Sequence, residues 1–249
     1  MRQIKQMRAP ARRICFISCA CAALAVFLLL MSVIFFFWRT HGADSDVFAA
    51  SGDGNEGKEC KVVALTFDDG PHPVYTPEIL DILTEYGVRA TFFCIGINAE
   101  RYPDILKRTS DEGHCIGNHT YSHPKMKDID SETLASEIRM TEEVIFSVCG
   151  LRPSLFRPPE GYRGPAVTEA AGNAGYDTVL WNVDTLDWTG AGCASIVDSI
   201  MDNVKSGSII LCHDYVSWKS HTAEALKIVI PRLLSEGYRF VTVDELVHS

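Results

Sequence analysis

Short apolar runs alternate with helical patterns along most of the chain. Seven runs rich in β-branched and aromatic residues predict strands, at 62–67, 90–96, 114–118, 154–157, 178–183, 208–213 and 239–243. Between most of them, apolar residues recur every three or four positions, which is typical of amphipathic helices. This alternation indicates an α/β fold with a parallel sheet, and a barrel or an open doubly wound sheet would both fit it.

Start and stop signals bound several of the predicted helices. Thr76–Pro77 opens a helix that Gly87 ends, and Asp130–Ser131 opens a longer helix that ends at Gly150. Three further helical patterns lie at about 165–174, 194–205 and 222–236. We expect Pro231 to kink or restart the last of these helices, because proline removes a backbone hydrogen bond.

The N-terminal part of the chain has a different pattern. Residues 14–38 form an uncharged apolar run of 25 residues, longer than the roughly 20 that a membrane-spanning helix needs. The basic segment 1–13 precedes it, so we expect a cytoplasmic N-terminus and an extracytoplasmic remainder in a single-pass membrane protein. The run is long for a cleaved signal peptide, and we favour an uncleaved anchor. Residues 39–60 predict a linker, and residues 61–249 a single domain.

Composition and charge exclude several classes of protein. The chain is 47% apolar, too much for a disordered protein, and its formal charge of −9 argues against a nucleic-acid partner. Without the first 39 residues, which hold six basic side chains and no acidic ones, the charge falls to −15. The six later cysteines lack the spacing of a zinc knuckle or a redox motif. A bridge between Cys94 and Cys115, on neighbouring predicted strands, is left open.

Polar residues suited to catalysis follow the carboxyl ends of the predicted strands. They are Asp68, Asp69, His119, His123, Arg157, Asp184, Asp187 and His213. Barrels and open sheets both bind ligands at this edge. The two histidines are four residues apart, so they would share one side of a helical turn and could bind one metal ion. Each residue alone also fits a turn, an ion pair or a buried core position, and only their shared placement indicates a site.

Five short motifs resemble, in order, those of the polysaccharide deacetylase family, the NodB-homology carbohydrate esterases. The motifs are TFDDGP, HTYSHP, RPPEG, DTLDW and LCH. The resemblance covers residues 61–247, and its first two motifs are the most specific. It implies a distorted, incomplete (β/α) barrel of about seven parallel strands.

The resemblance also implies a metal centre and a base. Asp69, His119 and His123 would bind a divalent metal, with zinc as the expected ion and cobalt or nickel as alternatives. Three protein ligands leave positions open for water and substrate, as catalytic zinc sites require. Asp68 would take a proton from the attacking water, and Arg157 would keep Asp68 ionised and oriented.

The remaining implied roles concern the leaving group and the substrate. His213 would donate a proton to the leaving amine, with Asp187 orienting it and raising its pKa. Trp188 and Leu211 would line a small apolar pocket for the acetyl methyl group. The family commonly carries an aromatic residue where this chain has Glu160, beside the sugar groove. A carboxylate there disfavours acidic glycans, and we take Asp184 as structural.

These roles predict an enzyme that hydrolyses N-acetyl groups on a cell-surface polysaccharide. For a bacterial domain tethered close to the membrane, the polymer within reach is peptidoglycan, with N-acetylglucosamine or N-acetylmuramic acid as the target. Deacetylation of chitin-like oligosaccharides and an O-acetyl esterase activity are close alternatives, and a non-catalytic glycan-binding domain is a more distant one. Two histidines and a carboxylate also bind iron in non-haem oxygenases, but that function would leave Asp68, Arg157 and His213 without a role.

Overall fold

The computed structural model describes residues 61–216 and 219–248, which contain eight strands and eight helices. The strands are β1 (Lys61–Asp68), β2 (Thr91–Cys94), β3 (Cys115–Asn118), β4 (Leu155–Phe156), β5 (Asp177–Thr178), β6 (Val183–Asp184), β7 (Ser208–His213) and β8 (Tyr238–Val241). The helices are α1 (Tyr75–Tyr86), α2 (Gly96–Arg101), α3 (Pro103–Asp111), α4 (Ser131–Cys149), α5 (Pro165–Asn173), α6 (Cys193–Asn203), α7 (Thr222–Ser235) and α8 (Val243–Val247).

The strands form one curled parallel sheet in the order β5-β4-β3-β2-β1-β7-β6. β8 pairs with residues 61–64 of β1, on the edge where β2 pairs with residues 66–68 further along. β5 and β6, at the two ends of this order, do not pair within the described residues. The predicted α/β class and parallel sheet are therefore confirmed, and the barrel is incomplete, as the resemblance implies.

The single strand predicted at 178–183 is wrong. β5 and β6 lie at opposite edges of the sheet, and residues 179–182 cross from one edge to the other. The backbone N–H of Val179 donates to β4 at 2.8 Å, and that of Asn182 donates to β7 at 3.1 Å. The apolar run looks like a strand because Val179 and Val183 are buried, although its two ends pair with different partners.

The five predicted helices are all present. α1 and α4 end at Gly87 and Gly150, both in the left-handed conformation, and the side chain of Asp130 caps α4 by accepting from Thr133 N at 2.7 Å. α7 continues through Pro231 as one helix, so the expected restart does not occur. The sequence pattern missed α2, α3 and α8, which have six, nine and five residues and are too short to show a clear helical period.

The central strand β1 is buried from Val63 to Asp68. Its side chains pack on both faces of the sheet, where Phe67 stacks on Phe92 of β2 with ring centroids 4.9 Å apart. Parallel strands covered on both faces read as continuous apolar runs, which is why β1 was easy to predict. The polar residues that follow β1 therefore lie at the middle of the sheet's carboxyl edge.

The described cysteines are all free thiols. Cys94 pairs with Asn118 and Cys115 with Thr91 in the β2–β3 ladder, so the two cysteines are not opposite each other and the bridge left open above is not formed. None of the described helices is long and apolar enough to cross a membrane. The anchor and linker predicted within residues 1–60 lie outside the described residues.

Candidate active site

A cavity of about 290 Å³ opens at the carboxyl edge of the sheet. Its lining residues are Asp68, Asp69, His119, His123, Glu160, Trp181, Asp184, Trp188, Leu211 and His213. Arg157 and Asp187, which are buried, contact lining residues from behind. The structure thus brings together every site residue that the sequence predicted.

Three candidate ligand atoms face each other in this cavity. The Nε2 atoms of His119 and His123 lie 3.4 and 3.6 Å from Oδ1 of Asp69, and the three atoms all lie within 4.8 Å of one another. Ligands about 2.1 Å from a tetrahedral zinc ion are about 3.4 Å apart, so these separations suit a metal ion. Oδ1 of Asp69 is also buried and accepts no hydrogen bond within the described part of the chain.

The hydrogen bond on the far side of His119 supports the same interpretation. Nδ1 of His119 lies 2.6 Å from the backbone carbonyl oxygen of Arg157. A carbonyl only accepts, so Nδ1 carries a proton and Nε2 is the ring nitrogen that faces Asp69, with its lone pair available whenever the ring is neutral. A lone pair directed at a carboxylate oxygen needs a cation or a proton between them. The residues present therefore fit a divalent metal.

The charges of this cluster shift the pKa values of its members. Burial opposes ionisation of Asp69, but the neighbouring His119 lowers the pKa of Asp69 overall. Burial also opposes protonation of His119, yet Asp68 and Asp69 raise the pKa of His119. Burial and the neighbouring His119 lower the pKa of His123. The cluster thus contains an ionised carboxylate and one imidazole that resists protonation, both suited to bind a cation.

The two histidines do not lie on a helical turn, contrary to the sequence expectation. They belong to a loop after β3 in which Thr120 and His123 have positive φ angles of 68° and 52°. The carboxylate of Glu137, on α4, accepts from the backbone N–H groups of Tyr121 and Ser122 at 2.9 and 2.7 Å. These contacts hold the loop so that both imidazoles reach Asp69 without helical spacing.

Asp68 forms a buried ion pair with Arg157. Nη1 of Arg157 donates to Oδ1 of Asp68 at 2.7 Å and to the hydroxyl oxygen of Thr66 at 2.8 Å. Burial lowers the pKa of Arg157, while the charge of Asp68 opposes that shift. The other oxygen of Asp68, Oδ2, lies 3.9 Å from Nε2 of His119, so it is directed towards the candidate metal ligands.

Arg157 also holds the segment that crosses between the two edges of the sheet. Nε and Nη2 donate to the carbonyl oxygens of Val179 and Leu180 at 3.3 and 3.2 Å. Its guanidinium lies over Phe93, 4.1 Å from the ring centroid, and 5.5 Å from the ring of Trp181. The crossing segment 179–182 is therefore attached to the same side chain that pairs with Asp68.

His213 and Asp187 form a second pair at the cavity. Nδ1 of His213 lies 2.8 Å from Oδ1 of Asp187, whose Oδ2 accepts from the backbone N–H of His213 and the hydroxyl of Thr222, both at 2.8 Å. Burial alone would lower the pKa of His213, but the hydrogen bond and charge of Asp187 raise it to about 9. His213 is thus a protonated group at neutral pH, with Nε2 free of this pair.

The outer wall of the cavity is partly apolar. Trp188 is 47% exposed and donates from Nε1 to Asp184 at 3.4 Å, whereas Leu211 is buried. Asp184 also accepts from the backbone N–H of Leu186 at 2.9 Å, in keeping with a structural role. Glu160 is exposed, has a φ of 57°, and forms no ion pair within the described residues.

Sequence reasoning missed several residues that shape this site. They are Thr66, Asn98, Glu137, Trp181, Asp214 and Thr222. Most lie far along the chain from the groups they contact, so no local spacing reveals them. Asp214 is the exception, because it directly follows the LCH motif and could have been noted there.

Comparisons with known proteins identify relatives of this chain. A family model described as polysaccharide deacetylase matches residues 55–179. A peptidoglycan-N-acetylglucosamine deacetylase from Bacillus cereus is 46% identical over 189 residues, which cover 75% of this chain and 88% of that protein. A peptidoglycan-N-acetylmuramic acid deacetylase from Bacillus subtilis is 39% identical over 75% of this chain and 38% of the longer relative.

Solved structures show the same fold. A family 4 acetyl xylan esterase from Clostridium thermocellum, in complex with cobalt, superposes with a TM-score of 0.70 at 37% identity, covering 75% of this chain and 90% of that one. A CE4 family pseudoenzyme from Bacillus anthracis superposes with a TM-score of 0.70 at 31% identity, covering 75% and 65%. The match to the family model and the identity to these relatives show that this chain belongs to the polysaccharide deacetylase family.

Proposed function

We propose that this protein is a metal-dependent N-deacetylase that acts on peptidoglycan. The observation that carries the proposal is the lining of one cavity, which groups three candidate metal ligands with a carboxylate and a protonated imidazole. A base, an acid and a Lewis acid within reach of one bond are what amide hydrolysis needs.

On this proposal, Asp69, His119 and His123 hold a divalent cation, with zinc as the expected ion and cobalt or nickel as alternatives. The cation would supply Lewis acidity towards the acetyl carbonyl and a water molecule. Asp68 accepts the proton of that water through Oδ2, because Oδ1 is already held by Arg157. The paired guanidinium fixes the direction of the free oxygen of Asp68.

His213 acts on the leaving group. Asp187 holds Nδ1, so the proton on Nε2 is available to the amine that leaves when the C–N bond breaks. With a pKa raised to about 9, His213 carries that proton at neutral pH. Leu211 and Trp188 line the same cavity and offer apolar surface to the acetyl methyl group.

The substrate follows from similarity and from charge. Relatives named as peptidoglycan deacetylases support peptidoglycan as the polymer, and their names include both N-acetylglucosamine and N-acetylmuramic acid as targets. Glu160, which forms no ion pair within the described residues, adds a carboxylate to the cavity wall. It disfavours acidic groups on the substrate, and muramic acid carries a lactyl substituent that bears a carboxylate or an acidic peptide, whereas N-acetylglucosamine carries neither, so of the two sugars we propose N-acetylglucosamine as the better substrate.

Location is a second part of the proposal. The uncharged run 14–38 anchors the chain in the membrane, and the linker 39–60 keeps the domain within reach of the cell wall. Fractionation of cells that express the full-length protein tests this. A membrane-bound protein that retains residues 14–38 supports the anchor, and release into the medium with a new N-terminus after residue 38 contradicts it.

Acetate release from purified peptidoglycan tests the activity. The wild-type protein should release acetate, each modified sugar should lose the mass of one acetyl group, and a chelator should stop the reaction. Asp68→Asn is the matched control, because it keeps the size of the side chain and loses the base. If the wild type releases no acetate, and the wild type and Asp68→Asn bind the wall equally well, the protein is instead a glycan-binding domain.

A further inference from the structure

Asp214 is a buried carboxylate with no role in the reaction described above. It follows His213 at the end of β7, and its side chain is directed towards the loop after β1. Oδ1 accepts from the backbone N–H of Gly70 at 2.9 Å, and Oδ2 accepts from the hydroxyl of Thr76 at 2.6 Å. Its own backbone N–H donates to the carbonyl oxygen of Asp68 at 3.2 Å. Asp214 therefore contacts the backbone on both sides of Asp69.

The backbone of Asp69 needs such support. Its φ is 78°, a left-handed conformation that is strained for a non-glycine residue. The carbonyl oxygen of Asp69 accepts from the side chain of Asn98 at 2.7 Å. With Asp68 and Gly70 fixed by Asp214, three consecutive residues are held by hydrogen bonds from outside the loop. The direction of the Asp69 carboxylate follows from this backbone conformation.

Gly70 shows how closely the carboxylate approaches. A Cβ built on Gly70 would overlap with the carboxylate of Asp214. Its φ is not in the left-handed region, so the close approach of Asp214, and not backbone freedom, requires glycine here. The second hydrogen bond also has a fixed direction, because Thr76 accepts from the backbone N–H of His72 at 2.7 Å and gives its own proton to Asp214.

We propose that Asp214 is a positioning residue that orients Asp69 for metal binding. The inference rests on the proposed function only in taking Asp69 as a metal ligand. The carboxylate of Asp214 fixes the N–H of Gly70, and its backbone fixes the carbonyl of Asp68, so Asp69 is held between two anchored peptide groups. Polar groups that orient metal ligands typically contribute 10- to 100-fold to metal affinity.

Zinc affinity of the full-length chain tests the proposal without substrate. The metal-free protein is titrated with zinc alone in competition with a chromophoric chelator. Asp214→Ala should raise the Kd about 10- to 100-fold. Asp214→Asn keeps an oxygen for the N–H of Gly70 and should bind zinc within about threefold of the wild type, since that contact is worth most of the effect.

Thr109→Val is the control for loss of a buried hydrogen bond. Thr109 is as buried as Asp214 and donates to the carbonyl oxygen of Ile105 within α3, away from the cavity. Its Kd for zinc should stay within about twofold of the wild type. A folded Asp214→Ala with an unchanged Kd, or an equal loss in Thr109→Val, overturns the proposal.

Gly70→Ala keeps the test decisive if Asp214→Ala does not fold. The added methyl group displaces the Asp214 carboxylate, so zinc affinity should fall about tenfold or more, and an unchanged Kd overturns the proposal. Failure of the deacetylase function is distinguishable from failure of this inference. If the wild type binds zinc but releases no acetate, the deacetylase function fails and the positioning role of Asp214 stands. If the wild type binds no zinc, Asp69 is not a metal ligand and the positioning role fails as well.

Discussion

Two ion pairs flank the candidate metal ligands, and they are embedded in the fold differently. Arg157 is fully buried, and its guanidinium contacts Asp68, the hydroxyl of Thr66 and two carbonyl oxygens of the crossing segment 179–182. Asp187 is also buried, but its carboxylate bonds only to His213 and Thr222 among the described residues. The first pair also holds the crossing segment 179–182, and the second contacts one imidazole and one hydroxyl.

Because of this difference, we expect the loss of each pair to affect a different property of the protein. Loss of Arg157 leaves a buried carboxylate unpaired and frees backbone carbonyls, both of which destabilise the folded state. Loss of the charge on Asp187 leaves its neighbours hydrogen-bonded by an amide of the same size, and changes mainly the proton affinity of His213. Mutation of Arg157 should therefore lower mainly the free energy of unfolding, and mutation of Asp187 should lower mainly the catalytic rate.

The largest effect on stability is expected for Arg157→Met. The free energy of unfolding should fall by about 3–5 kcal/mol, because Asp68 stays buried without its partner. Urea denaturation of the metal-free protein measures this, with Asp187→Asn as the comparison. An equal loss in both variants would remove the distinction between the pairs.

Asp187→Asn should have the larger effect on rate relative to stability. Without the aspartate charge, the pKa of His213 falls, and we expect kcat to drop about 100-fold, a typical contribution of an acid or base. The free energy of unfolding should change by only about 1–2 kcal/mol. Steady-state rates at several pH values measure the first quantity, and an unchanged kcat would exclude His213 as the proton donor.

The pH dependence of the wild type tests the same pair without mutation. Because the pKa of His213 is raised from 6.5 to about 9, kcat/KM should fall as the pH rises through about 9. The raised pKa also contributes stability that is fully present below pH 6.5 and is lost as the pH rises to about 9. Asp187→Asn should move this fall in kcat/KM to lower pH. If the fall stays at the same pH, His213 is not the group that titrates.

The smallest effects are expected at two matched threonines. Thr222→Val removes one hydrogen bond to Asp187, whereas Thr66→Val removes the hydrogen bond from Arg157 and the one to the carbonyl oxygen of Ile210. The free energy of unfolding should fall by about 1 kcal/mol for each hydrogen bond lost. Thr222→Val should also lower kcat a few-fold through His213, so a greater loss of kcat in Thr66→Val would reverse the comparison.

The convergence of the site could be predicted from the sequence, and much of its geometry could not. Asp68, Asp69, Arg157 and His213 meet because they follow parallel strands, and the strands are visible as apolar runs. Their chemical roles stay predictions until activity and metal binding are measured. Local patterns report burial and period, and in this chain they identified the long elements well.

What escaped prediction depends on contacts between distant residues. The run 178–183 has the composition of one strand, but nothing within it shows that its ends pair with opposite edges of the sheet. The four-residue spacing of His119 and His123 suggested a helical turn, whereas Glu137 holds the segment as a loop. The carboxylate of Asp214 meets Gly70 across 144 positions of sequence, so no local motif could relate them.

The pairing of β1 with β7 also sets the order in which the site can assemble. Asp68 lies opposite His213 in that ladder, and the hydroxyl of Thr66 bonds to Ile210 across 144 residues. A chain that folds from its N-terminus can form β1, β2 and β3, and with them the histidine loop, long before β7 is available. Contacts of such long range slow folding. The imidazole acid and the aspartate that supports Asp69 therefore join last, so the cavity matures only when the final fifth of the chain has been added.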